Sequence, residues 1–163
     1  MESVHIHLVL NHIPILGSFF GLCLFTYGVL FKNISIKNAG LVTFIVVAIL
    51  TIPAYLSGGG AEEQLEKMPG IHGSIIHDHE EIAEIAFLMM GILGIISLVM
   101  FVSFKKDSIK NYLTLIIIIL SLITFITMTF VGLVGGKIQH TETYSKAKVS
   151  KFLDLKTPDS DDH

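Results

Sequence analysis

The chain has 163 residues, a mass of 17.9 kDa and a formal net charge of −3. Hydrophobic residues make up 52% of it, charged residues only 15%, and the mean hydropathy is +0.71. This composition excludes a disordered chain, a disulfide-rich secreted domain and a nucleic-acid-binding protein, and it indicates an integral membrane protein of one domain. The single cysteine, Cys23, lies inside an apolar run, so disulfides are not part of the architecture.

Four apolar runs predict membrane-spanning helices, at about residues 8–31, 39–57, 83–104 and 112–134. A helix that crosses the hydrocarbon core needs roughly 20 predominantly apolar residues. Runs of this length without alternation do not suit barrel strands. The first run is longer than a signal-peptide core and follows no basic residue, so we interpret it as a retained helix.

Short connections at residues 32–38 and 105–110 make sequential helices antiparallel neighbours. We therefore predict an all-α integral membrane protein, an antiparallel four-transmembrane-helix bundle over residues 1–142, followed by a polar tail over 143–163. The triple glycine at 58–60 predicts a helix stop and a flexible turn. Glycines within the apolar runs favour close helix packing, with space for a flat prosthetic group as the alternative (Gly17, Gly21, Gly91, Gly94, Gly132, Gly135).

The lysines crowd into the two short connections, which is typical of the cytoplasmic face of a membrane protein (Lys32, Lys37, Lys105, Lys106, Lys110). We therefore expect a multi-pass protein of the bacterial inner membrane with both termini on the outer, periplasmic side. Every histidine falls on the opposite half of the predicted bundle (His5, His7, His12, His72, His77, His79, His140, His163). The topology brings four distant segments together there and defines a candidate site.

His12 lies about four residues into the first apolar run, hence roughly 6 Å below its start. An ionisable side chain inside a membrane segment indicates a functional site by default. The alternative is a neutral histidine that is hydrogen-bonded between helices with Asn11. His7 points about 140° away from His12 on the same helix.

The third helix opens with a run of ionisable residues. His77, Glu81 and Glu84 share one face, whereas His79 lies on another. Neutral imidazole is the commonest metal-binding side chain, so His77 and His79 are candidate ligands. The alternative for Glu81 is ordinary stabilisation of the helix N-terminus. Two further segments reach the same end of the bundle and add candidates (Glu62, Glu63, His140).

The segment Leu10-Asn11-His12-Ile13-Pro14-Ile15, the His- and Glu-rich opening of helix three, and Gly135-Gly136 followed by His140 resemble a widespread family of uncharacterised bacterial four-helix membrane proteins. The resemblance covers roughly residues 5–142. Some relatives are fused or adjacent to Rieske-type iron–sulfur domains, which implies a redox role.

Three functions are consistent with these residues. The first is a b-type haem protein that transfers electrons, with His12 paired to His77 or His79 and with His7 and His140 available for a second pair. The second is a non-haem Zn, Fe or Mn site (His12, His77, His79, His140, Glu62, Glu63, Glu81, Glu84). The third is an accessory membrane subunit of a larger respiratory complex. The expected partners are the lipid bilayer and a redox protein or membrane complex, and no nucleic acid.

Overall fold

A computed structural model describes residues 7–66, 73–102 and 107–154, with side chains described over 7–59, 76–102 and 111–137. It contains four helices: α1 (His12–Leu30), α2 (Ile34–Glu66), α3 (Gly73–Val102) and α4 (Asp107–Asp154). Residues 7–10 add a helical turn before α1. Four segments are long and apolar enough to cross a membrane, namely His7–Leu30, Ile34–Gly59, Ile76–Val102 and Asn111–Lys137. The predicted all-α membrane fold is confirmed.

Each helix packs against its neighbours in sequence, and α1 also packs against α4, which closes the bundle. The helices therefore alternate in direction. Helices α1 and α3 run parallel and occupy one diagonal of the bundle, while α2 and α4 run the opposite way on the other diagonal. The antiparallel four-helix topology predicted from the short connections is confirmed.

Glycines set the close packing of α1 on α2. A β-carbon added at Gly17 would collide with the Val47 side chain, and one added at Gly21 would lie 2.6 Å from the ring of Phe44. Gly40 faces the backbone of Phe25 in the same way, at 2.6 Å from its nitrogen. Since lipid tails are as apolar as the side chains, association within a membrane depends on such close contact. The glycines of α1 and α2 therefore allow these two helices to pack closely, as predicted.

The turn between α1 and α2 is short because Lys32 adopts a left-handed conformation, with φ of 53°. The Asn33 N–H donates to the Gly28 carbonyl at 2.8 Å, which closes the end of α1. The Asn33 side chain then accepts from the N–H of Ile36 at 3.1 Å and caps the start of α2.

The buried core occupies the middle of the bundle. Its largest fully buried side chains come from all four helices (Phe25, Leu41, Phe44, Met90, Leu93, Ile117). The rings of Phe25 and Phe44 lie 6.2 Å apart and join α1 to α2. This packed core separates the end that carries the histidines from the end that carries the first turn.

Several predicted helix boundaries were wrong. Helix α2 continues through the glycines at 58–60 to Glu66, because each glycine costs a helix only about 1 kcal/mol and strong helix formers follow. Helix α3 begins at Gly73, before the apolar run that was predicted to start at about residue 83 and before its ionisable opening. Helix α4 continues to Asp154, so residues 143–154 of the predicted tail are helical, while residues 155–163 lie outside the described residues. Hydropathy marks the membrane-embedded part of a helix and not its polar extension.

Candidate functional site

A cavity of about 450 Å³ lies at the end of the bundle where the membrane spans of α1 and α3 begin and those of α2 and α4 end. All four helices line it. The wall formed by α1 extends from His7 to Ile15, which is about 12 Å along the helix axis. The rings of Tyr55 and Phe87 line the cavity and stack with centroids 4.5 Å apart, joining α2 to α3. The four segments that were expected to converge therefore enclose one space.

His7 is half-buried at the mouth of this cavity. Its Nδ1 lies 3.2 Å from the carbonyl oxygen of Ala54 and 3.0 Å from the hydroxyl oxygen of Ser57. The Ser57 hydroxyl itself donates to the Ala54 carbonyl at 2.8 Å, so its oxygen accepts from His7. Both partners of Nδ1 are acceptors, which places the ring proton on Nδ1 and leaves the lone pair on Nε2.

His79 is half-buried on the opposite side of the same cavity. Its ring lies close enough to the carbonyl of Val131 to interact with it. Its Nδ1 is buried and has no hydrogen-bond partner among the described residues. With Nδ1 unpartnered, the Val131 carbonyl is the acceptor available to an N–H on Nε2.

Each imidazole packs against a glycine of the helix that follows it in sequence: His7 against Gly58 of α2, and His79 against Gly135 of α4. A β-carbon at Gly58 would be 3.4 Å from Cε1 of His7, and one at Gly135 would be 3.1 Å from Cε1 of His79. The carbonyl that each ring contacts, that of Ala54 or Val131, belongs to the residue four positions before that glycine. Side chains four residues apart lie above one another on a helix. The missing side chain therefore opens the carbonyl to the imidazole.

The two half-sites have a shared sequence signal. A His-x-His motif stands at His5-Ile6-His7 and again at His77-Asp78-His79. A Leu-x-Gly-Gly motif stands at 56–59 and again at 133–136. The hairpins α1–α2 and α3–α4 thus contribute equivalent elements, one imidazole and one pair of glycines each. This repeat is the signal by which the pairing of His7 with His79 could have been predicted.

The two imidazoles meet across the bundle. Their ring centroids are 6.3 Å apart and their planes are perpendicular, at 90°. Because α1 and α3 lie on one diagonal, the rings occupy the space between helices that do not otherwise neighbour each other in the described bundle. Two imidazoles, each beside a backbone carbonyl of the helix that follows in sequence, form the centre of the site.

The structure separates the other predicted histidines of α1 and α3 from this pair. His12 was the leading candidate on α1; its side chain is exposed at the edge of the cavity, and its Nδ1 donates to the Leu8 carbonyl at 2.7 Å. His77, Glu81 and Glu84 do share one face of α3, but that face is exposed on the outside of the bundle. His7, which the helical geometry had set apart from His12, is the residue that meets His79.

The side chains of His140, Glu62 and Glu63 lie outside the described residues, although α4 and α2 extend through these positions. Among the side chains that are described, no three of His, Cys, Asp and Glu are grouped closely enough to hold a metal ion. Two polar groups that were not predicted as ligands also line the cavity. Glu80 is exposed at its edge, and Asn11 presents a buried side-chain oxygen that has no partner within the described part of the chain.

No protein-family model, curated protein or solved structure matches this chain.

Proposed function

We propose that His7 and His79 would hold a haem b in the cavity, and that the protein transfers electrons at this end of the membrane. The observation that carries the proposal is the facing pair of imidazoles, 6.3 Å apart. Histidine is a side chain that haem iron takes as a ligand, and two imidazoles that meet in one cavity could together hold such a group.

The ligand number also favours haem. Haem iron needs at most two side-chain ligands from the protein, and His7 with His79 would supply them, whereas a non-haem ion needs more. The imidazoles occupy one diagonal of the bundle, and the glycines at the same level lie on the other (Gly58, Gly59, Gly132, Gly135, Gly136). At Gly59 and Gly136 an added β-carbon would meet no atom within 4 Å. A flat ring has space beside these helices.

The surroundings of the ligands suit axial coordination. Metal-binding histidines usually donate their second ring N–H to a carbonyl or carboxylate, which fixes the tautomer and the orientation of the ring. The carbonyls of Ala54 and Val131 lie beside His7 and His79 and are the acceptors available for this function. When bound, the haem supplies a one-electron couple, and the apolar walls formed by Tyr55, Phe87 and their neighbours exclude water from it.

A non-haem ion is the second candidate, and one observation favours it. Polar groups within the cavity offer lone pairs: Nδ1 of His79 and the side-chain oxygen of Asn11 are both buried without a partner among the described residues, and the Glu80 carboxylate lies at the edge. Acceptor groups of this kind suit a cation such as Zn, Fe or Mn. An accessory subunit of a respiratory complex is the third candidate, and it needs no ligand at all.

The partner and the location belong to the same proposal. We infer a redox protein or a larger membrane complex as the electron partner, in agreement with the redox role that the sequence resemblance implies. The bacterial inner membrane, with both termini on the outer side, is inferred from the lysines near the turn between α1 and α2 and in the segment 105–110. The cavity then faces the periplasm.

The test is an absorption spectrum of the protein purified in mild detergent, oxidised and then reduced by dithionite, with metal analysis of the same sample. A sharp Soret band with resolved α and β bands is expected. His7→Ala and His79→Ala should each lose the low-spin spectrum, whereas His77→Ala and His12→Ala, at exposed positions, should retain it. Stoichiometric Zn, Fe or Mn without a Soret band would show that the protein holds a non-haem metal ion and not haem. If neither haem nor a metal ion is found, the accessory subunit becomes the favoured function.

A further inference from the structure

Two ionisable side chains are exposed at matching depth on opposite sides of the bundle. His12 comes five residues after His7, and Glu84 comes five residues after His79. Helices α1 and α3 run parallel, and the rings of His7 and His79 meet at one level, so equal steps of about 1.5 Å per residue bring His12 and Glu84 to the same depth. Five residues also rotate each of them about 140° from the inward-facing imidazole. Both side chains are accordingly exposed, His12 beside the edge of the cavity and Glu84 on the outside of α3.

The surfaces beneath these two residues have complementary shapes. Seven residues, or two turns, beyond His12 stands Phe19, which is 41% exposed. Two turns beyond Glu84 stands Gly91, where an added β-carbon would meet no atom within 4 Å. The Phe19 ring packs on one side against Phe125 of α4, with centroids 5.3 Å apart, and its exposed part lies at the depth at which α3 has a notch. Between these levels both faces are apolar. Leu16 comes four residues after His12 and Leu88 four residues after Glu84, so the two leucines lie at the same depth.

We propose that copies of this chain associate side by side in the membrane, with the outer face of α1 of one copy on the outer face of α3 of the next. His12 then pairs with Glu84 of the neighbouring copy, and Phe19 occupies the notch at Gly91. Copies in one membrane share one orientation, so α1 and α3 of adjacent copies are parallel and residues of equal depth meet. The contact joins two different faces, and repetition of it gives a closed ring or a row.

A second copy of the chain offers polar partners to His12 and Glu84, which lipid tails cannot do. Ionisable side chains within membrane segments are costly and usually pair with one another. His12 offers a free Nε2, because its Nδ1 donates to the Leu8 carbonyl. A protonated carboxyl of Glu84 can donate to this nitrogen, or an imidazolium can pair with the carboxylate. Small residues that admit a neighbouring side chain are the usual site of helix association in membranes.

Cysteine cross-linking in native membranes tests the direction of the contact. In a background in which Cys23 is replaced by serine, the double variant His12→Cys, Glu84→Cys should form a ladder of disulfide-linked multimers on mild oxidation. Each single variant should remain uncross-linked, because a contact between α1 and α3 never brings two identical positions together. Strong dimer formation by a single variant would show a symmetric contact and overturn the proposal. Absence of any ladder in the double variant would overturn it equally.

Two further variants separate assembly from folding. Gly91→Leu fills a notch that is open in the monomer, so it should leave helix content unchanged and should shift the particle mass in nanodiscs to that of one chain. Ile119→Leu, at an exposed position on α4, is the matched control and should keep the assembled mass. The swap His12→Glu with Glu84→His should restore the multimers that His12→Glu alone loses. An unchanged mass for Gly91→Leu would contradict the proposal, and none of these measurements depends on a cofactor.

Discussion

His79 packs against Gly135 more tightly than His7 packs against Gly58. A β-carbon at Gly135 would be 3.1 Å from Cε1 of His79, which is shorter than an ordinary van der Waals contact, whereas the equivalent distance at Gly58 is 3.4 Å. The two half-sites of the cavity therefore have the same arrangement, but they differ in how well each glycine tolerates an added methyl group. His79 has little freedom to move away, because its ring also lies beside the Val131 carbonyl.

This difference predicts unequal effects of a single methyl group. Gly135→Ala should displace the His79 ring and weaken binding of the proposed haem, at a cost of about 1 kcal/mol or more from overpacking. Gly58→Ala should be tolerated, since its contact with His7 is an ordinary one. Titration of each apoprotein with haem, followed by the Soret band, measures both affinities. Equal affinities for the two variants would show that Gly135 does not hold the His79 ligand in place.

Ser57 provides a second test of the ligand surroundings. Its hydroxyl oxygen lies 3.0 Å from Nδ1 of His7, beside the Ala54 carbonyl at 3.2 Å from the same atom. In Ser57→Ala the carbonyl still accepts from His7, so the ring stays in place but loses one partner. Loss of a single group that supports a metal ligand typically costs about 10–100-fold in affinity, and the remaining carbonyl favours the low end. Thr43→Ala, at a hydroxyl that bonds only to the Ala39 carbonyl within the described residues, is the control and should not change affinity.

The fold was largely predictable because hydropathy and connection length have direct physical consequences. An apolar run of some 20 residues must be helical in lipid, and a short connection must reverse the chain. The ends of the helices were not predictable in this way. Glycines 58–60 seemed to be a stop by composition, but α2 passes through them, since the strong helix formers that follow outweigh their cost.

The cavity lies at the end of the bundle where the site was predicted, but the histidines that meet in it, His7 and His79, are not the pair that was ranked first. Depth in the membrane ranked His12 first, and helical periodicity set His7 apart from it. Both statements about position are accurate, yet it is His7 that faces inward and His12 that is exposed. A periodicity shows which residues share a face but not which face is turned to the bundle axis. The packing of His7 against Gly58 and of His79 against Gly135 shows which face is turned inward. These contacts can be predicted only when it is known which helices pair.

Stability should depend strongly on the glycine at the centre of the α1–α2 contact. A β-carbon at Gly40 would be 2.6 Å from the backbone nitrogen of Phe25, and a backbone atom cannot rotate away as a side chain can. Gly40→Ala should therefore destabilise the protein by about 1–3 kcal/mol. Gly91→Ala adds its methyl group in open space and should be neutral or stabilising by up to about 1 kcal/mol through helix propensity. Thermal unfolding of dilute protein in detergent, followed by circular dichroism, compares the two; a lower melting temperature for Gly91→Ala would contradict the expected order.

The perpendicular arrangement of the His7 and His79 rings has a spectroscopic consequence if they ligate the proposed haem. Their planes meet at 90°. Perpendicular axial imidazoles leave two iron d orbitals nearly equal in energy, and the low-spin ferric EPR spectrum is then dominated by one large g value. Parallel imidazoles separate these orbitals and give a rhombic spectrum with three resolved g values. Frozen-solution EPR of the oxidised protein should show the first kind of spectrum.

A variant that frees one imidazole from its helix is the control for this prediction. In His79→Gly, imidazole added to the buffer can occupy the vacated position and restore a low-spin haem, but without a covalent link to α3 its plane is set by the cavity alone. The large g value should then decrease or spread into a mixture. If the protein with both histidines gave a rhombic spectrum, the Val131 and Ala54 carbonyls would not be holding the two rings at right angles in the bound state. If both samples gave the same large g value, the covalent link of the imidazole to α3 would not be what determines the plane of that ligand.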